Sequence, residues 1–122
     1  MKILIVEDER ITLNAIKLIV ESAGHVAILS DRSEEALELA RTQRPQVALV
    51  DLKMKGSEFD GLELIRRLRA DPLTEGMVVL AHTASASSPS LAAALQAGAN
   101  DVIAKPFRQA DLVALLDRNL TR

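Results

Sequence analysis

Acidic, hydroxyl and ammonium side chains directly follow short apolar runs at four places in this chain. Glu7 and Asp8 follow the first run, Asp51 follows another, and Thr83 and Lys105 follow two more. Three carboxylates brought together would repel one another, and one would take up a proton unless a cation lay among them. Such hard oxygen ligands suit Mg²⁺, which retains several waters and binds one or two carboxylates together with phosphate oxygens. A carboxylate in that setting can attack phosphorus, so these residue types predict phosphoryl chemistry with Asp51 as the nucleophile.

Each of these residues has an ordinary explanation when it is considered alone. Glu7 and Asp8 would be solvated acids at a turn, Thr83 a loop hydroxyl and Lys105 a surface lysine. Together they are more informative, because all fall at the carboxyl ends of different predicted strands and none at an amino end. The Lys105 ammonium and the Thr83 hydroxyl would then share the charge of a phosphoryl group with Mg²⁺. His82 adjoins Thr83, but one histidine does not make a metal site, so we interpret it as a structural or rim residue.

Short apolar runs alternate along the chain with segments of helical spacing. The predicted strands are 2–6, 25–29, 47–51, 77–81 and 101–104, and the predicted helices are about 10–23, 34–42, 61–70, 89–97 and 109–120. This alternation predicts an α/β fold with a five-stranded, doubly wound parallel sheet, because each crossover is right-handed. The second strand is the least apolar and suits an edge, which favours the order 2-1-3-4-5. Ligands bind at the carboxyl ends of strands 1 and 3 in such a sheet.

The spacing of apolar residues also predicts which side of each helix is buried. In the first helix it predicts a buried face made of Ile11, Ala15, Leu18 and Ile19. In the third helix it directs three arginines outward, Arg66, Arg67 and Arg69. Ser88 and Pro89 read as the N-cap and first residue of the fourth helix.

Composition limits the class of protein. The 122 residues suit one domain, 1–122, and a 48% hydrophobic content is sufficient for a packed core. The absence of cysteine excludes a disulfide scaffold and a thiolate metal site. Charges of both signs are dispersed, with a net charge of -2, which argues against direct nucleic-acid binding by this domain. No apolar stretch approaches the roughly 20 residues that span a bilayer, so we expect a cytoplasmic protein without a membrane partner.

Five sequence segments together resemble the receiver domain of two-component response regulators, the family of the single-domain chemotaxis regulator. The segments are Ile-Leu-Ile-Val-Glu-Asp-Glu at 3–9, Val-Asp-Leu-Lys-Met at 50–54, Asp-Gly-Leu-Glu-Leu at 60–64, His-Thr-Ala at 82–84, and Gly-Ala-Asn-Asp through Ala-Lys-Pro-Phe at 98–107. The resemblance implies a flavodoxin-like (βα)5 fold over essentially the whole chain. It also implies a cis peptide bond before Pro106 and a set of Mg²⁺ ligands: Glu7, Asp8, Asp51 and the backbone carbonyl of Lys53.

The same resemblance implies a signalling role for the site. Asp51 would accept a phosphoryl group from a histidine kinase or phosphotransfer protein, with Thr83 and Lys105 contacting that group. The domain would catalyse only its own phosphorylation and slow autodephosphorylation, so we do not expect an enzyme. The altered surface would act on a downstream effector or an attached output domain, or would form a homodimer upon phosphorylation.

Two alternatives stay open at this point. A phosphorylation-independent scaffold would keep the fold and use its surface for protein–protein interaction. A Mg²⁺-dependent phosphatase or transferase would also form an aspartyl phosphate, but such enzymes usually carry a second aspartate two residues after the nucleophile. Lys53 occupies that position here, which argues against the enzyme.

Three departures from the family pattern affect what the site is expected to do. Val102 stands where an aromatic residue usually precedes the lysine by three positions, so we expect weaker coupling between Thr83 and the surface of the last two elements. Lys55 replaces a proline, and the loop after Asp51 is about two residues longer, which predicts either a tolerated insertion or an altered partner surface. The Lys53 side chain overhangs the site, where it would pair with acids or change the lifetime of the phosphoryl group.

Overall fold

A computed structural model describes residues 1–84 and 87–120 of the chain. Five strands alternate with five helices: β1 Lys2–Val6, α1 Arg10–Ser22, β2 Val26–Ser30, α2 Ser33–Gln43, β3 Val47–Asp51, α3 Gly61–Ala70, β4 Val78–Thr83, α4 Ser88–Ala97, β5 Asp101–Ala104 and α5 Gln109–Leu120. The strands form one parallel sheet in the order β2-β1-β3-β4-β5. The predicted fold class, strand order and doubly wound arrangement are therefore confirmed.

Alternate residues of the strands build two cores, one on each face of the sheet. Helices α1 and α5 cover one face, where Ile5 and Leu49 pack with Ile16 and Leu112 in what we call the α1/α5 core. Helices α2, α3 and α4 cover the other, which we call the α2–α4 core. All five residues of β3 are buried, as expected for a central parallel strand covered on both faces. The central strand is thus held rigidly up to its last residue, Asp51.

Strand β4 is longer at its carboxyl end than the sequence predicts. It runs from Val78 to Thr83 rather than over 77–81, and its register pairs Asp51 with His82 and Thr83 with Ala104. The sequence interpretation had placed His82 and Thr83 in the loop, because polar residues rarely extend a buried strand. In the structure their backbone groups continue the parallel ladder, which fixes both residues beside the neighbouring strands.

The predicted buried face of α1 is wrong at Ile11, Ala15 and Leu18, which are exposed, and right at Ile19, which packs against the α1/α5 core. Ile11 is 81% exposed and Leu18 is 63% exposed, whereas Ile16 and Val20 carry the contact with the sheet. Helical periodicity identifies an apolar stripe but not its limits, and this helix carries apolar residues over more of its circumference than the sheet can cover. An apolar strip of α1 is consequently left on the surface beside the strand ends.

The predicted orientation of Arg69 is also wrong. Its guanidinium turns back over the sheet edge and donates to the carbonyl oxygens of Glu75, Met77 and Gly98 at 2.6–2.8 Å. It also donates to the side-chain oxygen of Asn100 at 2.7 Å. These carbonyls belong to the segments that precede β4 and follow α4, so Arg69 ties α3 to both segments.

Helix ends follow the predicted turn chemistry with small shifts. Gly24 after α1 has a φ of +91°, as expected for a residue that ends a helix in the left-handed region. The N-cap of α4 is Ser87 rather than Ser88, and Pro89 lies in the first turn. No helix in residues 1–84 and 87–120 is long and apolar enough to cross a membrane.

Gly61 is required where α3 begins. A Cβ atom there would collide with the backbone carbonyl of Asp51, and the Gly61 amide donates to the carbonyl of Leu52 at 3.1 Å. The lack of a side chain therefore lets the first turn of α3 approach the end of β3.

Candidate active site at the carboxyl edge of the sheet

The four strand ends bring the chemically active side chains to one edge of the sheet. Glu7 follows β1, Asp51 ends β3, Thr83 ends β4 and Lys105 follows β5. Because side chains alternate along a strand, Glu7, Asp51 and Lys105 continue the side of the sheet that faces α1 and α5. The predicted convergence of these residues is observed, while their chemical roles remain predictions.

A shared ammonium holds the two buried carboxylates together. The Lys105 Nζ donates to Glu7 Oε1 at 2.8 Å and lies 3.3 Å from Asp51 Oδ2. Glu7 is 1% exposed and Asp51 is 4% exposed. Two carboxylates this deeply buried need a compensating cation, and Lys105 supplies it.

Burial and charge shift the protonation of this group in opposite directions. Burial raises the pKa of Glu7 and of Asp51, and the Lys105 ammonium offsets part of that shift for both. Burial by itself would lower the pKa of Lys105, but the hydrogen bond to Glu7 and the charge of Asp51 raise it above its ordinary value. Lys105 therefore stays protonated and available to an anion.

The remaining predicted metal ligands lie at the mouth of the site. Asp8 Oδ2 accepts a hydrogen bond from the Lys55 amide at 2.8 Å. The Lys53 amide donates to Asp51 Oδ1 at 3.3 Å. The Lys53 side chain is exposed, and within the described part of the chain no carboxylate lies within ion-pair distance of it. An ion pair between Lys53 and the pocket acids, as predicted, is therefore not observed among the described residues.

The donation from Lys55 gives one physical meaning to the missing proline. Proline has no amide hydrogen, so the family residue at this position cannot make the hydrogen bond that Lys55 gives to Asp8. The lysine backbone instead links the loop after β3 to the acid that follows β1.

The longer loop is anchored at its far end as well. The Ser57 hydroxyl accepts from the Ser33 amide at 3.1 Å, and the Glu58 amide donates to Glu34 at 3.3 Å. Arg32, the residue before α2, provides no side-chain cap for that helix. The loop therefore supplies a cap that the local sequence of α2 lacks.

Thr83 lies beside Lys105 at the end of the neighbouring strand, and Pro106 follows Lys105 in the sequence. Thr83 is 3% exposed, and its carbonyl accepts from the Lys105 amide at 2.8 Å. The Lys105–Pro106 peptide bond is cis, as the resemblance implied. The hydrogen bond from the Lys105 amide to Thr83 therefore holds Lys105 against the end of β4.

His82 lies below the carboxylates rather than at the rim. Its side chain is fully buried, with Nε2 3.2 Å from the carbonyl oxygen of Val6 and Nδ1 3.8 Å from Glu7 Oε1. Burial and the neighbouring Lys105 charge lower the pKa of His82 to about 3, so the imidazole is neutral. We assigned this residue no role at the site from the sequence. A histidine one position before Thr83 in a buried strand was nevertheless a signal that it would lie beside Asp51 on the adjacent strand.

A cleft of about 770 Å³ opens above the site. Its floor includes Asp51 and Lys105, and one wall is apolar, formed by Ile11, Ala15 and Phe107. A ligand that reaches the carboxylate therefore passes between a charged floor and an apolar wall.

The donor set fits a hard divalent cation. Glu7, Asp8 and Asp51 offer carboxylate oxygens along one cleft, and backbone carbonyls of the adjoining loop are the kind of additional ligand that Mg²⁺ accepts. Burial is the largest cause of the raised pKa of Glu7 and of Asp51, so further positive charge beside these acids would favour their ionised forms.

Comparisons with known proteins agree with this geometry. The sequence matches the family described as response regulator receiver domain over residues 3–117. It is 33% identical over 120 residues to the phosphate regulon transcriptional regulatory protein PhoB of Pseudomonas aeruginosa, covering 98% of this chain and 52% of that protein. The chain thus spans about half the length of the transcriptional regulators that it matches.

Solved structures give the same result. A putative response regulator from Chloroflexus aurantiacus superimposes with a TM-score of 0.92 and 32% identity, over 99% of this chain and 98% of that one. The receiver domain of sensor histidine kinase PA1611 from Pseudomonas aeruginosa, with a magnesium ion coordinated in its active site cleft, gives 0.90 and 31% over 99% and 98%. The chain belongs to the response regulator receiver domain family.

Proposed function

We propose that this domain is a phosphorylation-dependent signalling switch that accepts a phosphoryl group on Asp51 from a histidine kinase or phosphotransfer protein. The observation that carries the proposal is the pairing of Asp51 with the Lys105 ammonium, 3.3 Å away, at the end of a fully buried strand. A rigid carboxylate beside a fixed ammonium suits attack on phosphorus, because the new anionic oxygens find a positive charge in place.

The proposed transfer is a displacement at phosphorus. An Asp51 carboxylate oxygen forms the bond to phosphorus while the bond to the donor nitrogen breaks, and the donor imidazole keeps the electron pair. Lys105 and Thr83 contact the phosphoryl oxygens, and the Lys53 amide already donates to the other side-chain oxygen of Asp51. Glu7, Asp8, Asp51 and the backbone carbonyl of Lys53 would hold Mg²⁺, which when bound offsets negative charge on the phosphoryl group.

The exposed strip of α1 is the proposed contact for the phosphodonor. Ile11 and Leu18 are apolar and largely exposed, and Ile11 also lines the cleft that leads to Asp51. A donor histidine must enter that cleft to reach a carboxylate that is 4% exposed. The histidine-bearing surface of the donor would therefore cover this strip during transfer.

A charge substitution on the strip separates docking from chemistry. Leu18→Glu, at a position of the strip outside the cleft, should slow transfer from a cognate phosphodonor by roughly tenfold or more, as loss of a central interface contact does. Labelling by acetyl phosphate, which needs no docking surface, should be unchanged. Equal rates of transfer to the parent and the variant would place the donor elsewhere.

The output is proposed by analogy with the relatives. Because the chain spans about half of a transcriptional regulatory protein, we propose that the phosphorylated surface acts on an attached output domain or a separate effector, with homodimer formation as one route. Leu91 and Leu95 of α4 and Val113 of α5 are exposed apolar residues that such a contact could cover. The domain would work in the cytoplasm, and its only catalysis would be its own phosphorylation and slow dephosphorylation.

One mass measurement tests the phosphoacceptor role. The protein is incubated with Mg²⁺ and acetyl phosphate, and the parent should gain one phosphoryl group that maps to Asp51. Asp51→Asn should gain none, while Asp31→Asn, at an exposed acid outside the site, should behave like the parent. An unmodified parent would favour the alternative of a phosphorylation-independent scaffold.

A further inference from the structure

The orientation of His82 leaves one ring nitrogen facing the acids. Nε2 lies 3.2 Å from the Val6 carbonyl oxygen. A carbonyl can only accept, so Nε2 carries the hydrogen. Nδ1 is therefore the ring nitrogen left for the acid cluster, where it is a free lone pair that a hydrogen-bond donor or a cation can use.

No such partner lies beside Nδ1 in residues 1–84 and 87–120. The atom is buried without a hydrogen bond, and Glu7 Oε1, at 3.8 Å, is an acceptor. Buried polar atoms are nearly always satisfied, so this orphaned lone pair requires an explanation. Because His82 is paired in register with Asp51 on the neighbouring strand, we look for the missing partner at the acid cluster.

Glu7, Asp51 and His82 present one ligand atom each within 4.8 Å of one another. Bonds of about 2.0–2.2 Å from a metal ion to nitrogen and oxygen place two ligand atoms at most about 4.4 Å apart, so small side-chain rotations would close the set. The Lys105 ammonium now bridges the same two carboxylates, and a divalent ion would replace its charge there.

We propose that this edge of the sheet binds a divalent transition metal such as Zn²⁺ or Co²⁺, with His82 Nδ1 as a nitrogen ligand beside Glu7 and Asp51. The proposal shares these carboxylates with the proposed phosphoacceptor site but does not depend on phosphoryl transfer. Imidazole nitrogen suits zinc-like ions, whereas Mg²⁺ takes oxygen ligands. His82 would therefore raise the affinity of the site for transition metals and leave the affinity for Mg²⁺ nearly unchanged.

Nitrogen NMR reads the proposed bond directly. The chain has two histidines and no cysteine, so the imidazole signals of ¹⁵N-labelled protein can be assigned without ambiguity. Adding Zn²⁺ should move the Nδ1 signal of His82 from the position of an unprotonated nitrogen to that of a metal-bound one. Adding Mg²⁺ should not move it, and His25→Ala should keep the His82 response.

The matched variant is His82→Leu, which fills the same buried space without a nitrogen. Since loss of even an outer partner of a metal ligand weakens metal binding by about 10–100-fold, Zn²⁺ and Co²⁺ affinity should fall by at least about tenfold. Mg²⁺ affinity should stay within about twofold because oxygen ligands hold that ion, and its retention also shows that the variant is folded.

Two results would overturn the proposal. An unshifted His82 Nδ1 in the Zn²⁺-loaded parent would exclude the bond whatever the variant does. Equal Zn²⁺ affinity in the parent and in His82→Leu would assign Zn²⁺ to oxygen ligands alone. Acetyl phosphate labelling of Asp51 in Mg²⁺ is measured separately, so failure of the metal proposal and failure of the phosphoacceptor proposal are distinguishable.

Discussion

Individual residues in this domain show how burial and partner choice set charge. Lys105 serves two buried carboxylates, and that sharing leaves each of them only partly compensated. Asp101 is the opposite case at the far edge of the sheet. Its carboxylate accepts from Arg118 at 2.6 and 3.0 Å and from Asn119 at 3.1 Å.

The Asp101 cluster should make stability depend on pH in the acid range. Burial raises the pKa of Asp101, but the hydrogen bonds from Arg118 and Asn119 outweigh it and hold that pKa below its usual value. A depressed pKa contributes stability that is present above the unfolded pKa, about 3.9, and is lost as pH falls through the folded value. Asp101→Asn should therefore lower the free energy of unfolding by roughly 1 kcal/mol at neutral pH, a modest value because the pair of Asp101 and Arg118 is partly exposed. Near pH 2 the effect should be much smaller.

Urea titrations at several pH values measure this difference. In the Asp101→Asn background, Arg118→Met should have little further effect, because the shared interaction is already gone. A loss of stability in Asp101→Asn that is the same at every pH would contradict the assignment.

Arg69 should matter far more than the other arginines of its helix. It donates four hydrogen bonds, three of them to backbone carbonyls. Arg69→Met leaves these acceptors unpaired, so it should destabilise the domain by about 2–4 kcal/mol. Arg66→Met, at an exposed position of the same helix, should change stability by no more than about 0.5 kcal/mol. Equal effects of the two substitutions in thermal or urea unfolding would contradict the special role of Arg69 in tying α3 to its neighbours.

At the scale of elements, the sequence predicted what periodicity and strand ends determine. Bounds of β1, β3, β5 and α5 follow from apolar runs and turn residues, and the site follows from what stands after each strand. Ile11 and Leu18 were misassigned because a stripe of apolar residues does not reveal how much of it a sheet can cover. Arg69 was misassigned because its orientation depends on acceptors contributed by distant segments, whereas His82 is buried as the structural interpretation expected.

The loop after β3 acts as an element in its own right. Its Ser57 hydroxyl caps α2 from 24 residues away, which favours a structural role for the two extra residues over a mere tolerated insertion. Ser57→Ala should lower the free energy of unfolding by about 1 kcal/mol, the usual value for loss of a helix cap. Ser57→Thr keeps the hydroxyl and should stay close to the parent.

Chemical denaturation of these variants gives the answer, with amide hydrogen exchange in the first turn of α2 as a local readout. The Ser33 amide should exchange faster in Ser57→Ala than in the parent. Unchanged stability and exchange would leave the loop as a surface insertion.

Across the whole molecule, the site and helix α4, which carries part of the proposed output surface, lie on different sides of the sheet. Glu7, Asp51 and Lys105 continue the side that faces α1 and α5. Val102 of β5, by contrast, is partly buried against the α2–α4 core. A signal from the proposed phosphoryl site to α4 is therefore expected to pass through the ends of β4 and β5.

Val102 should limit how far that signal travels. A branched aliphatic side chain has no ring to rotate inward, so a shift of Thr83 towards a phosphoryl group would leave the packing around Val102 nearly unchanged. Adding beryllofluoride and Mg²⁺ should then produce large amide chemical-shift changes at Thr83 and small ones at Val102 and along α4. Val102→Tyr supplies the missing ring and should enlarge the changes on α4, while Val113→Tyr on the exposed surface of α5 controls for the added bulk. Changes at Val102 in the parent as large as those at Thr83 would show that an aliphatic residue transmits the signal as well as a ring.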